Sequence, residues 1–180
     1  MKRPAVFLDR DGTLIEEVNY LSRVEDLRLF PYTAPALKLL KDHGYLIIVV
    51  TNQSGIGRGI YTEAAMHGIH ASIQTELSDA IDAFYFCPHL PDAGCVCRKP
   101  GLGMVNSACS DFEIDMERSW MVGDKSIDVE TGSNGNLSTA LVLTGYGQTH
   151  LNLLRSPPTV VANDLAAAVG QIVNFNQRDP

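Results

Sequence analysis

Long hydrophobic runs are missing from this 180-residue chain. Crossing a bilayer takes about 20 consecutive apolar residues, and the aliphatic run Leu46 to Val50 is only as long as a strand. No leader segment is expected either: Lys2 and Arg3 precede a brief apolar stretch that ends at Asp9, which does not read as a signal-type core. A cytoplasmic protein with no membrane partner is expected. Positive charge is scarce, with 14 Lys and Arg against 21 Asp and Glu and a formal net charge of −7. Nucleic-acid binding depends on cations that neutralise backbone phosphates, so this balance argues against a nucleic-acid partner. It leaves room for a small phosphorylated ligand held by a local group of cations. Cysteine is limited to four residues, and a chain of this size without a leader is not expected to rely on disulfides. It is long enough to bury roughly 70% of its unfolded surface in one domain, and its 45% hydrophobic and 19% charged residues are ordinary for a globular protein.

What is present alternates between strand-like and helical stretches. Ala5–Leu8, Leu46–Val50, Ala83–Phe86, Trp120–Val122 and Thr139–Leu143 read as strands, with Val160 and Val161 as a short edge strand. Between them, a helix carrying Leu37 and Leu40 is expected to start at a Thr33 cap and stop at Gly44. A second helix opens at Thr62 and places Met66, Ile69, Ile73 and Leu77 on one apolar stripe, which reads as core packing. Ser126 is expected to cap a helix ending near Gly135, and Asn163 to open a last helix with Leu165, Val169 and Ile172 turned inward. Asn176 to Pro180 read as a frayed end. This order predicts an α/β fold, a Rossmann-like parallel sheet flanked by helices, in a single domain over residues 1–180.

Polar residues follow four of these strands. Asp9-Arg10-Asp11-Gly12-Thr13 follows the first, Thr51-Asn52-Gln53-Ser54-Gly55 the second, a Cys/His loop with Arg98-Lys99 the third, and Gly123-Asp124-Lys125 the fourth. In an open parallel sheet, loops at the carboxyl ends of strands share one rim. Taken singly, two aspartates after a strand are turn formers as readily as catalysts, and a lone threonine or lysine is ambiguous. Together, carboxylates, a hydroxyl and adjacent cations form an inventory for phosphoryl transfer. Cys87-x-His89 and Cys95-x-Cys97 add four nitrogen and sulfur ligands in a loop at 87–97, a donor set suited to a structural zinc ion. Reduced thiols beside a surface histidine are the alternative. Cys109 stands apart and reads as an ordinary buried thiol.

Phe7–Thr13, Val50–Gly55, Arg98-Lys99-Pro100 and Gly123–Asp128 resemble, in order, the four motifs of the haloacid dehalogenase superfamily. The likeness runs from about Val6 to Gly135 and is nearest to the branch of heptose-bisphosphate and histidinol-phosphate phosphatases. It implies a fold with a minimal cap domain or none, acting as a monomer on a small phosphorylated sugar. It implies Asp9 as nucleophile and Asp11 as general acid and base, with Thr51 and Lys99 stabilising the phosphoryl oxygens. Magnesium is expected on Asp9, Asp124 and the Asp11 main-chain carbonyl, with Asp128 reaching it through water or serving only its helix. Arg10, Glu17, Val18, Asn19, Tyr20, Asn52, Gln53, Ser54, Arg98 and Lys125 are the implied substrate contacts.

Ser54 and Arg58 lean toward a heptose 1,7-bisphosphate losing its 7-phosphate, with histidinol phosphate or another sugar phosphate as alternatives. Arg58 is either a contact for a second phosphate or a solvated side chain. Gly101-Leu102-Gly103 departs from the branch, which commonly has a second proline before Gly103. A catalytically silent, zinc-stabilised phosphate-binding module is the reading from another functional class, and the paired Asp9 and Asp11 argue against it.

Overall fold

The computed structural model describes residues 2–175; the expected fraying of Asn176 to Pro180 lies outside the described residues. In chain order the elements are β1 (Ala5–Leu8), α1 (Thr33–Asp42), β2 (Leu46–Asn52), a short α2 (Ser54–Gly57), α3 (Glu63–Glu76), β3 (Ala83–Cys87), α4 (Gly103–Asp111), β4 (Trp120–Gly123), α5 (Ser126–Asn134), β5 (Ser138–Val142), a short α6 (Gly147–His150), β6 (Val160–Ala162) and α7 (Leu165–Phe175). The strands form one six-stranded sheet in the order β3-β2-β1-β4-β5-β6, with every pair parallel. This is the expected α/β architecture.

Strands covered on both faces need apolar residues at every position, and β1 and β4 are buried throughout. Val6, Leu8, Ile47, Val49, Trp120 and Val122 point to one face and join Leu37 and Leu40 of α1, Ile69 and Ile73 of α3 and Val169 and Ile172 of α7. Ala5, Phe7, Ile48, Val50 and Met121 point to the other, against Met104, Val105 and Ala108 of α4. On that second face Gly132 of α5 sits where a Cβ would collide with Thr139 and crowd Met121, so the missing side chain lets helix and sheet close up.

The capping details differ in part from expectation. Thr62 does cap α3, accepting from the Ala65 amide at 3.1 Å. Thr33 instead lies inside α1, where its hydroxyl donates to the Leu14 carbonyl and ties the helix to the loop after β1. Lys125 is the first flanking residue of α5, and Asp128 reaches back to accept its amide at 3.0 Å; Ser126 bonds His150 rather than capping. Asp164, not Asn163, caps α7 through the Ala167 amide. Helix α4 leaves Cys109 exposed, because it falls just beyond the Met104–Val105–Ala108 face. The stretches 9–32 and 88–102 overhang the strand ends without a separate sheet among the described residues. No helix among the described residues is long and apolar enough to cross a membrane.

Candidate active site

Strand β1 pairs with β2 on one side and β4 on the other. The chain leaves these central strands toward opposite edges, which opens a crevice at their carboxyl ends. Asp9 enters it directly after β1, its amide held by the Val122 carbonyl of β4 at 2.9 Å. Asp124 enters from β4, immediately after Gly123. Two carboxylates from distant parts of the chain meet because their strands are neighbours.

Lys99 holds the centre together. Its ammonium, only 3% exposed, lies 2.9 Å from Asp9 Oδ1 and 2.6 Å from Asp128 Oδ1. Burial alone would raise the Asp9 pKa, but Lys99 and then Lys125 outweigh it and hold the carboxyl below its usual range. Burial likewise opposes the charge on Lys99, and Asp128 and Asp9 reverse the effect, raising its pKa. Asp9 is therefore a carboxylate facing cations. Both Asp128 oxygens are engaged, one by Lys99 and one by the Lys125 amide, so this residue aims Lys99 and starts α5.

Asp124 is fully buried. Its Oδ2 accepts from the Tyr146 amide at 2.8 Å, whereas Oδ1 has no hydrogen-bond donor and lies 3.4 Å from the Lys125 ammonium. Burial, reinforced by Asp9, pushes its pKa up to about 7. An unsatisfied buried carboxylate oxygen is costly, and one oxygen each of Asp9, Asp124 and Asp128 lie within 4.8 Å of one another. Hard oxygen donors so placed suit a magnesium ion. Gly12 and Gly145 frame Asp124; both have positive φ (79° and 53°), and a Cβ on either would strike its Oδ2.

Asp11 lies on the other side of the Asp9 loop, inside a bidentate clamp. Arg10 Nε and Nη2 donate to its two oxygens at 3.0 and 2.9 Å, and Gln53 Nε2 donates to Oδ2 at 3.0 Å. Gln53 is the hub of this network: it also donates to Thr51 Oγ1 at 2.8 Å and accepts from Arg10 at 3.1 Å and from the Tyr61 hydroxyl at 2.5 Å. Burial raises the Tyr61 pKa to about 12, keeping it a donor. Arg10, 1% exposed, spends its donors on Asp11, Gln53 and His70. Arg10 and Gln53 are buried yet line the cleft, where they fix Asp11, and Gln53 ties Thr51 to the same network. Asn52 is tied to both the amide and the carbonyl of Lys99.

A cleft of about 230 Å³ opens above these groups, lined in part by Asp9, Asp11, Asn52, Lys99, Arg98 and Lys125. Glu17, Asn19, Tyr20 and Ser54 also line it. Glu17 accepts from the Asn19 amide at 2.9 Å and lies 3.3 Å from Lys125. Burial would lower the Lys125 pKa, yet Asp9, Asp124, Asp128 and Glu17 raise it. Val18 turns away, 41% exposed, and Arg58 is exposed off the cleft wall. Sequence reasoning missed Tyr61 and Tyr146: the first supports Gln53, and the second bonds Asn19 at 2.6 Å and packs its ring 5.0 Å from the Lys125 ammonium. The glycines at 145 and 147, just past the fifth strand, were the available signal for Tyr146.

The Cys/His loop converges as its spacing suggests. Cys87 Sγ lies 3.2 Å from Cys97 Sγ and 3.6 Å from Cys95 Sγ, and His89 Nδ1 lies 3.2 Å from Cys97 Sγ. All four cysteines of the chain are unbridged. Zinc–sulfur bonds of about 2.3 Å put two ligands at most ~4.6 Å apart and ~3.8 Å apart in a tetrahedron, so the donor set and its spacing fit zinc. Burial pushes the Cys87 thiol up to about 12. Gly103 donates to the Val96 carbonyl at 3.0 Å and packs against Cys97, seating the loop on the start of α4.

A D-glycero-D-manno-heptose-1,7-bisphosphate 7-phosphatase of Thermosynechococcus vestitus is 42% identical over 94% of this chain and 95% of its own length. The chain belongs to this phosphatase family. The family lies within the haloacid dehalogenase superfamily, whose HAD-hydrolase-like model matches residues 96–168. A D-glycero-beta-D-manno-heptose-1,7-bisphosphate 7-phosphatase of Haemophilus ducreyi is 39% identical over 81% of the chain and 86% of that protein. The crystal structure of D,D-heptose 1,7-bisphosphate phosphatase from B. bronchiseptica, complexed with magnesium and phosphate, superposes with a TM-score of 0.88 at 30% identity, covering 96% and 99% of the two chains. The protein is a phosphatase-type hydrolase of this family.

Proposed function

We propose that the protein removes the 7-phosphate of D-glycero-D-manno-heptose 1,7-bisphosphate through an aspartyl-phosphate on Asp9, as a cytoplasmic monomer with one phosphatase domain. The observation that carries this reading is the Asp9 carboxylate at the cleft floor, 2.9 Å from Lys99 and beside the clamped Asp11. The sugar for which the Thermosynechococcus vestitus and Haemophilus ducreyi relatives are named supports the choice of substrate. Three thiols gathered in one loop suit a reducing compartment.

An Asp9 oxygen attacks phosphorus while the bond from phosphorus to the C7 oxygen breaks. Asp11 gives its proton to that departing oxygen and then takes one from the water that attacks the acyl phosphate, freeing inorganic phosphate and Asp9. Lys99, the Thr51 hydroxyl and Lys125 offset charge on the phosphoryl oxygens. Arg98, on the cleft wall, presents paired donors to the sugar or its remaining phosphate. Asp9, Asp124 and the Asp11 carbonyl would hold magnesium, which neutralises the approach of phosphate to carboxylate. Cys87, His89, Cys95 and Cys97 would hold zinc and brace Arg98 and Lys99.

Purified protein with magnesium should release one phosphate from heptose 1,7-bisphosphate and leave heptose 1-phosphate. Release from C1, or faster turnover of histidinol phosphate, would overturn the assignment.

A further inference from the structure

His70 lies in the middle of α3, a helix whose apolar stripe reads as ordinary core. Its imidazole is nevertheless 3.3 Å from Arg10, through Nε2 and Nη1. A guanidinium only donates. Nε2 must therefore be the acceptor, which leaves the ring proton on Nδ1 and the imidazole neutral. The ring is stacked on Phe84 of β3 with centroids 4.4 Å apart, and His67 meets its edge. These contacts fix the plane of the ring and hence the direction of its lone pair.

The geometry points to His70 as a positioning residue that acts through Arg10 to orient Asp11. Arg10 is buried between three partners. Nη1 goes to His70, Nη2 is shared by Asp11 and Gln53, and Nε goes to Asp11. The guanidinium is rigid and planar, so anchoring Nη1 fixes the opposite edge, which presents its two donors to the Asp11 carboxylate. Without the His70 acceptor, a buried donor is orphaned and the plane is free to turn about Nε. Asp11 would then lose the orientation its proton transfers require. Burial, with Arg10 and His67 adding to it, lowers the His70 pKa to about 3, in keeping with a ring that stays an acceptor at neutral pH. Neither the motif pattern nor the cleft lining singles out this residue, which touches no reacting atom.

This inference rests on the proposed role of Asp11, and the test separates the two. The quantity to measure is kcat/KM, which covers steps only through departure of the leaving group. An alkyl leaving oxygen needs the Asp11 proton, whereas the phenolate of p-nitrophenyl phosphate leaves without one. For His70→Leu, kcat/KM on heptose 1,7-bisphosphate should fall on the order of tenfold and change less than about twofold on p-nitrophenyl phosphate. His70→Gln, which keeps a neutral acceptor of similar reach, should recover the sugar-phosphate value to within about twofold. An equal fall on both substrates would mark a merely structural histidine. No fall on either, or His70→Gln as impaired as His70→Leu, would also overturn the inference. A wild-type protein that hydrolyses neither phosphate would instead refute the reading of Asp9 and Asp11.

Discussion

Lys99 and Asp128 form a fully buried ion pair 2.6 Å long, with Asp9 at 2.9 Å from the same ammonium. Removing one member of a buried pair leaves a charge without compensation, at a cost of about 3–5 kcal/mol. Lys99→Met should lower thermal stability on that scale and cut turnover on the order of 10²–10³-fold. Thermal denaturation and phosphate release measure the two effects. A variant with wild-type turnover would remove Lys99 from the chemistry.

Asp9 and Asp11 should fail differently. Asp9→Asn should give no phosphorylated protein in intact-mass measurements after rapid acid quench. Asp11→Asn should retain the fold and lose turnover of the sugar phosphate on the order of 10²–10⁴-fold. A phosphorylated Asp9→Asn protein would point to another nucleophile.

The response to pH should expose Asp124. Its pKa rises from 3.8 to about 7 in the folded, metal-free protein, chiefly through burial. A carboxyl with a raised folded pKa binds its proton more tightly than the unfolded chain does. Its stabilising contribution is therefore full below about 4 and is lost as pH rises through about 7. Magnesium competes with that proton. The rise in Tm on adding magnesium should be large at pH 8 and shrink steadily toward pH 5, and Asp124→Asn should abolish it. A magnesium effect independent of pH would contradict the placement of the ion on Asp124.

Zinc should copurify at one ion per chain. Cys97→Ala, or stripping with a strong chelator, should lower both Tm and kcat, because Cys97 adjoins Arg98 and Lys99 in sequence. Elemental analysis beside kinetics decides this; full activity in metal-stripped protein would separate the loop from catalysis.

Gly145→Ala should be costlier than its surface position suggests. A left-handed backbone costs an L-residue about 1–2 kcal/mol, and the new methyl would strike Asp124. Loss of stability together with weakened magnesium dependence is expected. Gly59→Ala shares a positive φ but has nothing within 4 Å of the added carbon, so it should lose stability alone.

The strand order of polar motifs made most of the fold and the central residues legible before any coordinates. Asp9 and Asp124 sit immediately after strands, Asp11 two residues beyond Asp9 and Lys99 in the loop that follows β3, and a parallel sheet brings such loops to one rim whatever lies between them. The Cys87/His89/Cys95/Cys97 cluster was legible because two short Cys/His pairs carry their own geometry. Arg10, Gln53 and Thr51 were recognised as members of the site, and Arg10 and Gln53 line the cleft whereas Thr51 does not, but motif position does not say which groups bond to one another. Here their donors and acceptors are used on one another and on Asp11. Val18 and Arg58 turn outward because loop direction, not residue type, sets their exposure. His70 and Tyr61 escaped because each acts across a tertiary contact with no sequence neighbour to mark it, and Tyr146 because its flanking glycines name a turn rather than a contact. Cys109 was expected to be buried and is exposed, because no helix was read from the sequence where α4 carries it past the core-facing side.

The strand at the centre of the sheet is the first to be made, and half of its pairing arrives late. Val6 lies beside Trp120, so the wall that holds the Asp9 amide does not exist until about two-thirds of the chain has left the ribosome. Pairings this distant form slowly and late in folding. A fragment ending before β4 would carry Asp9 and Asp11 yet lack Asp124, Asp128 and the carbonyl that seats Asp9. On the proposed chemistry, a chain truncated before β4 should release no phosphate, so that hydrolytic competence would mark a finished molecule.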